Sequence, residues 1–208
     1  MVDPAAMMGE CRRLCLRHAA RHRHSGPHRQ ARRTATITAK SILILGGARS
    51  GKSSHAQRIA ESVPGERVFI ATAQAFDDEM RDRIARHRTD RDERWRTVEA
   101  PMDLIAAIRA NDGADRVILV DCLTLWLSNL LLAGRDLDAE TDALAALIPM
   151  LSATIIMVSN EVGLSIVPDN ALARRFRDAA GTLNQRLARI CDAADFVVAG
   201  HPIRLGAS

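Results

Sequence analysis

The sequence predicts an α/β domain of three layers, with helices on both faces of a mostly parallel central sheet. Two observations predict it. Short apolar runs of four or five residues alternate with longer stretches of helical periodicity, the order that βαβ units produce. The first run, Ile42-Leu43-Ile44-Leu45, leads directly into Gly46-Gly47-Ala48-Arg49-Ser50-Gly51-Lys52-Ser53. That segment satisfies G-x-x-x-x-G-K-[ST] in full, and it has the strand before it and the helix-like stretch after it that the motif requires.

In chain order, strands are expected at 42–45, 68–71, 117–120, 154–158 and 196–199, each a run rich in Val, Ile, Leu or Phe, as strands buried on both faces require. Helices are expected between them. The first, 53–62, opens from the glycine-rich loop. The second, 77–87, has Asp77 or Asp78 as its cap and acids in its first turn, which suits the helix dipole. The third covers 102–110. The fourth, 123–133, lies in the longest apolar run, which Thr124, Ser128 and Asn129 interrupt. It reads as a buried helix and is too short to span a membrane. The fifth and sixth cover 139–151 and 171–193. No internal repeat is visible.

This is the plan of a P-loop NTPase-type domain. The glycines let the backbone wrap a phosphate with its N–H groups pointing inward, and the following helix adds its positive end. Lys52 supplies a charge for the β- and γ-phosphates and Ser53 a hydroxyl for magnesium. Lysine occurs only at positions 40 and 52, so one of two lysines stands where such a loop needs it. In parallel sheets, sites form at the carboxyl ends of strands. Asp121 closes Val117-Ile118-Leu119-Val120 and matches a Walker B carboxylate for magnesium; a cap for the next helix is the plainer role, and one Asp can do both. Ser159-Asn160-Glu161 after the fourth run suit a γ-phosphate sensor or a second-substrate contact. The arginines at 174, 175 and 177 read as a solvated or subunit-facing surface.

Met80, Ile84 and His87 fall at i, i+4 and i+7 of the second helix, with Arg83 and Arg86 beside them. Periodicity alone makes His87 an ordinary core or surface residue more readily than a catalytic one.

Composition narrows the function classes. Nine basic residues against Asp3 and Glu10 give residues 1–40 a charge of +7, so the total of +4 leaves −3 for 41–208. The basic pI belongs to the amino-terminal stretch, and the folded part makes no electrostatic case for nucleic acid. The expected organisation is a basic extension at 1–40 and one catalytic domain at 41–208. The extension lacks the long apolar core of a secretory signal. A transit peptide or metal binding through His18, His22, His24 and His28 fits its composition less well than a disordered extension, or sequence upstream of a true start at Met7, Met8 or later. The four cysteines form no C-x-x-C pair, so neither a zinc site nor a disulfide framework is expected, and a reducing, cytoplasmic setting is.

Several segments together resemble one family. They are the phosphate loop, Asp78-Glu79-Met80, Arg83-Ile84, His87, Trp95-Arg96-Thr97-Val98-Glu99, Val120-Asp121-Cys122-Leu123-Thr124, Ser159-Asn160-Glu161-Val162-Gly163 and Ala173-Arg174-Arg175-Phe176-Arg177-Asp178. From about Ser41 to Leu205 the chain is similar to the bifunctional adenosylcobinamide kinase/adenosylcobinamide-phosphate guanylyltransferases of cobalamin biosynthesis. The resemblance implies two reactions. A nucleoside triphosphate, ATP or GTP, phosphorylates adenosylcobinamide, and GTP then gives a GMP–histidine intermediate that passes GMP to adenosylcobinamide phosphate. It makes His87 the guanylylated residue and assigns nucleotide contacts to Gly46, Gly47, Ala48, Arg49, Ser50, Gly51, Lys52 and Ser53. It assigns further contacts to Ala71, Thr72, Ala73, Arg88, Glu99 and Asp121, and implies a homotrimer. Arg86 or Arg88 is suited by charge to the transferring phosphoryl group, and Glu99 to the guanine N1–H and N2–H₂ donors or to the ribose. A P-loop kinase for another small alcohol would share the loop and Asp121 but have no use for the 78–87 segment. A DNA-processing ATPase would need a basic stripe that the folded part lacks.

Overall fold

The computed structural model describes residues 39–74 and 94–206. Chain order is β1 (Ser41–Gly46), α1 (Lys52–Ser62), β2 (Glu66–Ala71), β3 (Trp95–Glu99), α2 (Leu104–Ala110), β4 (Arg116–Asp121), α3 (Leu123–Leu132), α4 (Leu137–Leu147), β5 (Thr154–Asn160), α5 (Ala171–Ile190), β6 (Ala193–Val198) and β7 (His201–Arg204). The seven strands among the described residues form one sheet in the order β3-β2-β4-β5-β1-β6-β7. All pairs are parallel except β6 with β7, so the expected mostly parallel α/β sheet is observed.

The period of two in the central strands builds the layers. Ile42 and Ile44 of β1, Val117 and Leu119 of β4, and Ile156 and Val158 of β5 pack with Ala56, Ile59 and Ala60 of α1. Their neighbours Leu43, Leu45, Ile118, Val120, Ile155 and Met157 face the other way, onto α2, α3, α4 and α5. Both faces are therefore covered, which is why β1 is buried along its whole length and reads as an unbroken apolar run. Among the described residues the largest fully buried side chain is Trp126 of α3, whose indole N–H donates to the Met102 carbonyl at 2.9 Å.

The boundaries differ from expectation at several points. Strands β3 and β7 are not among the expected strands. In β3 only Trp95 is buried, and Arg96, Thr97 and Glu99 face solvent, so an edge strand here shows no apolar run. All of β7 is exposed and contains Pro202, a residue tolerated only where a strand has a free edge. The expected strand 196–199 is β6 at Ala193–Val198, because the helix expected to reach 193 stops at Ile190 and Cys191 is extended. Helix α4 begins at Leu137, not 139: the Asp136 carboxylate accepts the N–H groups of Asp138 and Ala139, a cap that sets the start. It ends at Leu147, and 148–150 form a separate 3₁₀ turn containing Pro149. Helix α2 begins at Leu104 rather than 102. The helix expected at 77–87 lies outside the described residues.

Candidate functional site

The phosphate loop connects β1 to α1 at the sheet's carboxyl edge, between the ends of β5 and β6. Arg49 (φ 55°) and Gly51 (φ 93°) are both left-handed, and alternating handedness gathers successive N–H groups into an anion-binding concavity. The Ser50 N–H donates to the Gly47 carbonyl at 3.3 Å. Lys52 is buried in the first turn of α1, and its Nζ donates to the Gly47 carbonyl at 3.0 Å, arching over the loop. Gly46 admits no side chain: a Cβ there would lie 2.5 Å from Ser50 Oγ and 2.6 Å from the Val197 carbonyl oxygen. Ser50 Oγ is itself buried without a hydrogen-bond partner.

Strand register sets the neighbours of the loop. Glu99 of β3, Ala71 of β2 and Asp121 of β4 stand in one row, and Asp121 pairs with Val158 of β5 while Gly46 pairs with Asn160 two residues further on. With strands about 4.8 Å apart, Asp121 lies two strands from the loop on the side that carries β2 and β3. The charges of Asp121 and Lys52 both reach the thiol of Cys122. Burial pushes that thiol up to about 11, the Asp121 carboxylate adds to the rise, and the Lys52 ammonium opposes it.

Behind this row a polar frame holds the strand ends. Thr72, fully buried, accepts the Cys122 N–H at 2.9 Å and donates to the Cys122 carbonyl at 2.7 Å through one hydroxyl. Asn129 Nδ2 donates to the carbonyls of Thr72 and Pro101, both at 2.9 Å. Ser159 Oγ donates to Asn184 Oδ1 at 2.7 Å, Asn184 Nδ2 donates to the Asn160 carbonyl at 3.2 Å, and the Asn160 N–H donates to Thr124 Oγ1 at 2.6 Å. Ser159 and Asn184 therefore spend their polar atoms on the frame.

An open cavity of about 880 Å³ lies on the β6 side of the loop, lined by Gly47, Ser50, Glu161, Leu164, Phe196 and Val198 among others. On that side His55 of α1 meets Asp195 of β6 at 3.0 Å, and Arg204 of β7 pairs with the same carboxylate. Sequence reasoning missed this group, because its members are separated by up to 149 positions in sequence and carry no spacing signal.

The structure thus brings together Gly46 to Ser53, Ala71 to Ala73, Glu99 and Asp121 along one edge. His87 and Arg88 lie outside the described residues. The donor set of Ser53 and Asp121 is a hydroxyl and a carboxylate, hard oxygen ligands of the kind magnesium takes beside phosphate oxygens. Among the described residues no group of three or more His, Cys, Asp or Glu could hold a metal without such help, and no helix is long and apolar enough to cross a membrane.

Comparison with known proteins adds the chemistry. Residues 42–205 match the family model described as cobinamide kinase / cobinamide phosphate guanyltransferase. The chain is 51% identical over 165 residues to the bifunctional adenosylcobalamin biosynthesis protein CobP of Pseudomonas aeruginosa, covering 78% of this chain and 95% of that one. It is 41% identical to CobU of Salmonella typhimurium and 40% identical to CobU of Escherichia coli, each over 179 residues, 79% of this chain and 98% of the relative.

Proposed function

The chain belongs to the cobinamide kinase/cobinamide phosphate guanyltransferase family, and from that premise we propose that one phosphate loop, Gly46 to Ser53, anchors the triphosphate for both reactions. The enzyme is bifunctional: it phosphorylates cobinamide and transfers a guanylyl group to cobinamide phosphate in adenosylcobalamin biosynthesis. The observation that carries the shared-anchor reading is the row of Glu99, Ala71 and Asp121 standing on the same carboxyl edge as a single Lys52-bearing loop.

In the first reaction the cobinamide hydroxyl oxygen attacks the γ-phosphorus. A new P–O bond forms, the bond to the β-phosphate oxygen breaks, and the hydroxyl proton is released. Loop N–H groups and Lys52 hold the phosphates and spread the charge that builds on them. In the second, a ring nitrogen of neutral His87 attacks the α-phosphorus of GTP. A P–N bond forms and pyrophosphate leaves, held by the same loop. A phosphate oxygen of the cobinamide phosphate then attacks, the P–N bond breaks, and the product carries the GDP group. Ser53 and Asp121 would hold magnesium, which neutralises phosphate charge when bound. Ala71 to Ala73, Arg88 and Glu99 contact the guanine nucleotide, Glu99 by the base or the ribose. The protein acts as a cytoplasmic homotrimer. The exposed Leu164, Ile166 and Val167 after β5 support an assembly that covers them.

Incubation with α-labelled GTP tests the covalent step. Label retained through denaturation in an acid-labile, alkali-stable form is expected, and it is expected to vanish in His87→Ala while phosphorylation of cobinamide persists. Retention of label by His87→Ala would overturn the assignment.

A further inference from the structure

The turn joining β6 to β7 closes onto the phosphate loop. It consists of Ala199 (φ 50°) and Gly200 (φ 82°), a two-residue turn with both centres left-handed. An alanine in that region is sterically disfavoured and persists where its surroundings hold it there. The Gly200 N–H donates to the Ser50 carbonyl at 2.8 Å. In a trans peptide the C=O and the following N–H point opposite ways, so a Ser50 carbonyl fixed toward the hairpin turns the Gly51 N–H away from it. The approach is close: a Cβ on Gly51 would lie 3.2 Å from Gly200 Cα.

A second tether runs one turn further along. The His55 N–H donates to the Gly51 carbonyl at 3.0 Å, and its Nε2 meets Asp195 Oδ2 at 3.0 Å. Asp195 is 4% exposed, and Arg204 of β7 holds its other oxygen. The hairpin therefore grips the loop at Ser50 and the first turns of α1 at His55.

We propose that the β6–β7 hairpin is a positioning element for the phosphate loop, with Gly200 acting through Ser50 and Asp195 acting through His55 to hold the triphosphate-binding form. In this reading both are positioning residues. The inference rests on the reading that 46–53 binds a triphosphate, and the experiment separates the two.

The test is equilibrium titration of the full chain with GTP, in a His87→Ala background so that bound GTP is not consumed, alongside rates of both reactions in the chain that keeps His87. Asp195→Ala and His55→Ala are expected to weaken GTP by about tenfold or more. The double variant should be no weaker than the worse single, as residues acting through one contact behave. Asp195→Asn and His55→Gln keep a hydrogen bond and should recover most of the affinity. Asp192→Ala is the stability control: Asp192 accepts the N–H groups of Lys40 and Ser41 at the opposite end of β1, so its loss should lower the unfolding midpoint and leave GTP affinity within about twofold. Wild-type affinity in folded Asp195→Ala, or a loss no greater than in Asp192→Ala, would overturn the proposal. If Asp195→Ala does not fold, His55→Ala decides it by the same criterion. Lys52→Ala in the same titration tests the loop's triphosphate binding separately: wild-type affinity there would overturn that reading and the proposal with it, whereas weakened binding there beside wild-type affinity in Asp195→Ala would overturn the proposal alone.

Discussion

The hydroxyl of Thr72 at the end of β2 satisfies both peptide groups of Cys122, accepting its N–H at 2.9 Å and donating to its carbonyl at 2.7 Å. Cys122 is the residue after Asp121, so this single side chain fixes the backbone on which that carboxylate stands. The family resemblance counts Thr72 among nucleotide contacts. Its full burial and paired hydroxyl give it a structural task as well, and its neighbours Ala71 and Ala73 are the ones partly open to solvent.

Thr72→Val keeps the shape and removes the hydroxyl, leaving the N–H and carbonyl of Cys122 without their partner. Buried groups left unpaired cost about 1–3 kcal/mol each, so a loss of about 2–4 kcal/mol is expected. Thr72→Ser should keep most of the stability. Urea denaturation of the three proteins measures this, and equal midpoints for Thr72→Val and wild type would show the clamp to be dispensable.

Lys52 is the buried cation of the loop, 8% exposed and bound to the Gly47 carbonyl. Lys52→Ala is expected to lower phosphorylation and guanylyl transfer alike, by about 100-fold or more, the scale of losing one preorganised electrostatic donor. Lys52→Arg should restore little, because a planar guanidinium does not replace a compact ammonium in an enclosed loop. Steady-state rates of the two reactions, assayed separately, check this. A variant impaired in only one of them would refute the shared anchor.

Asp195 sets an acid limit on stability. Burial opposes its ionisation, but the hydrogen bonds from His55 and Arg204 outweigh burial and hold its carboxyl below the ordinary 3.8. A folded pKa below the unfolded one means stability that is fully present above about pH 4 and lost as pH falls through the lowered value. Thermal unfolding followed from pH 6 down to pH 2.5 should show this loss. In Asp195→Asn the slope below pH 4 should be shallower, while the melting temperature at pH 6 falls. An unchanged slope would show that other carboxylates govern the acid limit.

Legibility in the sequence followed burial and locality. Strands β1, β4 and β5 are covered on both faces, so their runs of Ile, Leu, Val and Met announce them. The phosphate loop is local, and eight consecutive residues carry its chemistry. Strand β3 was hidden because an edge strand with one buried residue, Trp95, has no apolar signature. In β6, Ala193 and Ala194 are good helix formers placed in the sheet beside Ile42 and Leu43, where tertiary packing overrides their preference. The clamp of Thr72 on Cys122 and the pair His55–Asp195 span 50 and 140 positions. No periodicity or motif connects residues so far apart.

Asn129 offers the last test, of the frame itself. From α3 it reaches two carbonyls, those of Thr72 and Pro101, with one amide nitrogen, and it is 6% exposed. Asn129→Ala removes the donor and should cost about 2 kcal/mol. Asn129→Asp is a harsher change near neutral pH, because it sets a carboxylate against two carbonyl oxygens in a buried position. Burial and those oxygens both raise the new carboxyl's pKa. A raised folded value means the extra destabilisation is absent at low pH, where the neutral acid donates one hydrogen bond, and grows as pH rises above the unfolded carboxyl range. The gap between the two variants should therefore be small at pH 4 and wide at pH 8, with Asn129→Asp the weaker. Urea midpoints at the two values decide it, and a gap that does not change with pH would mean that solvent, not the two carbonyls, surrounds position 129.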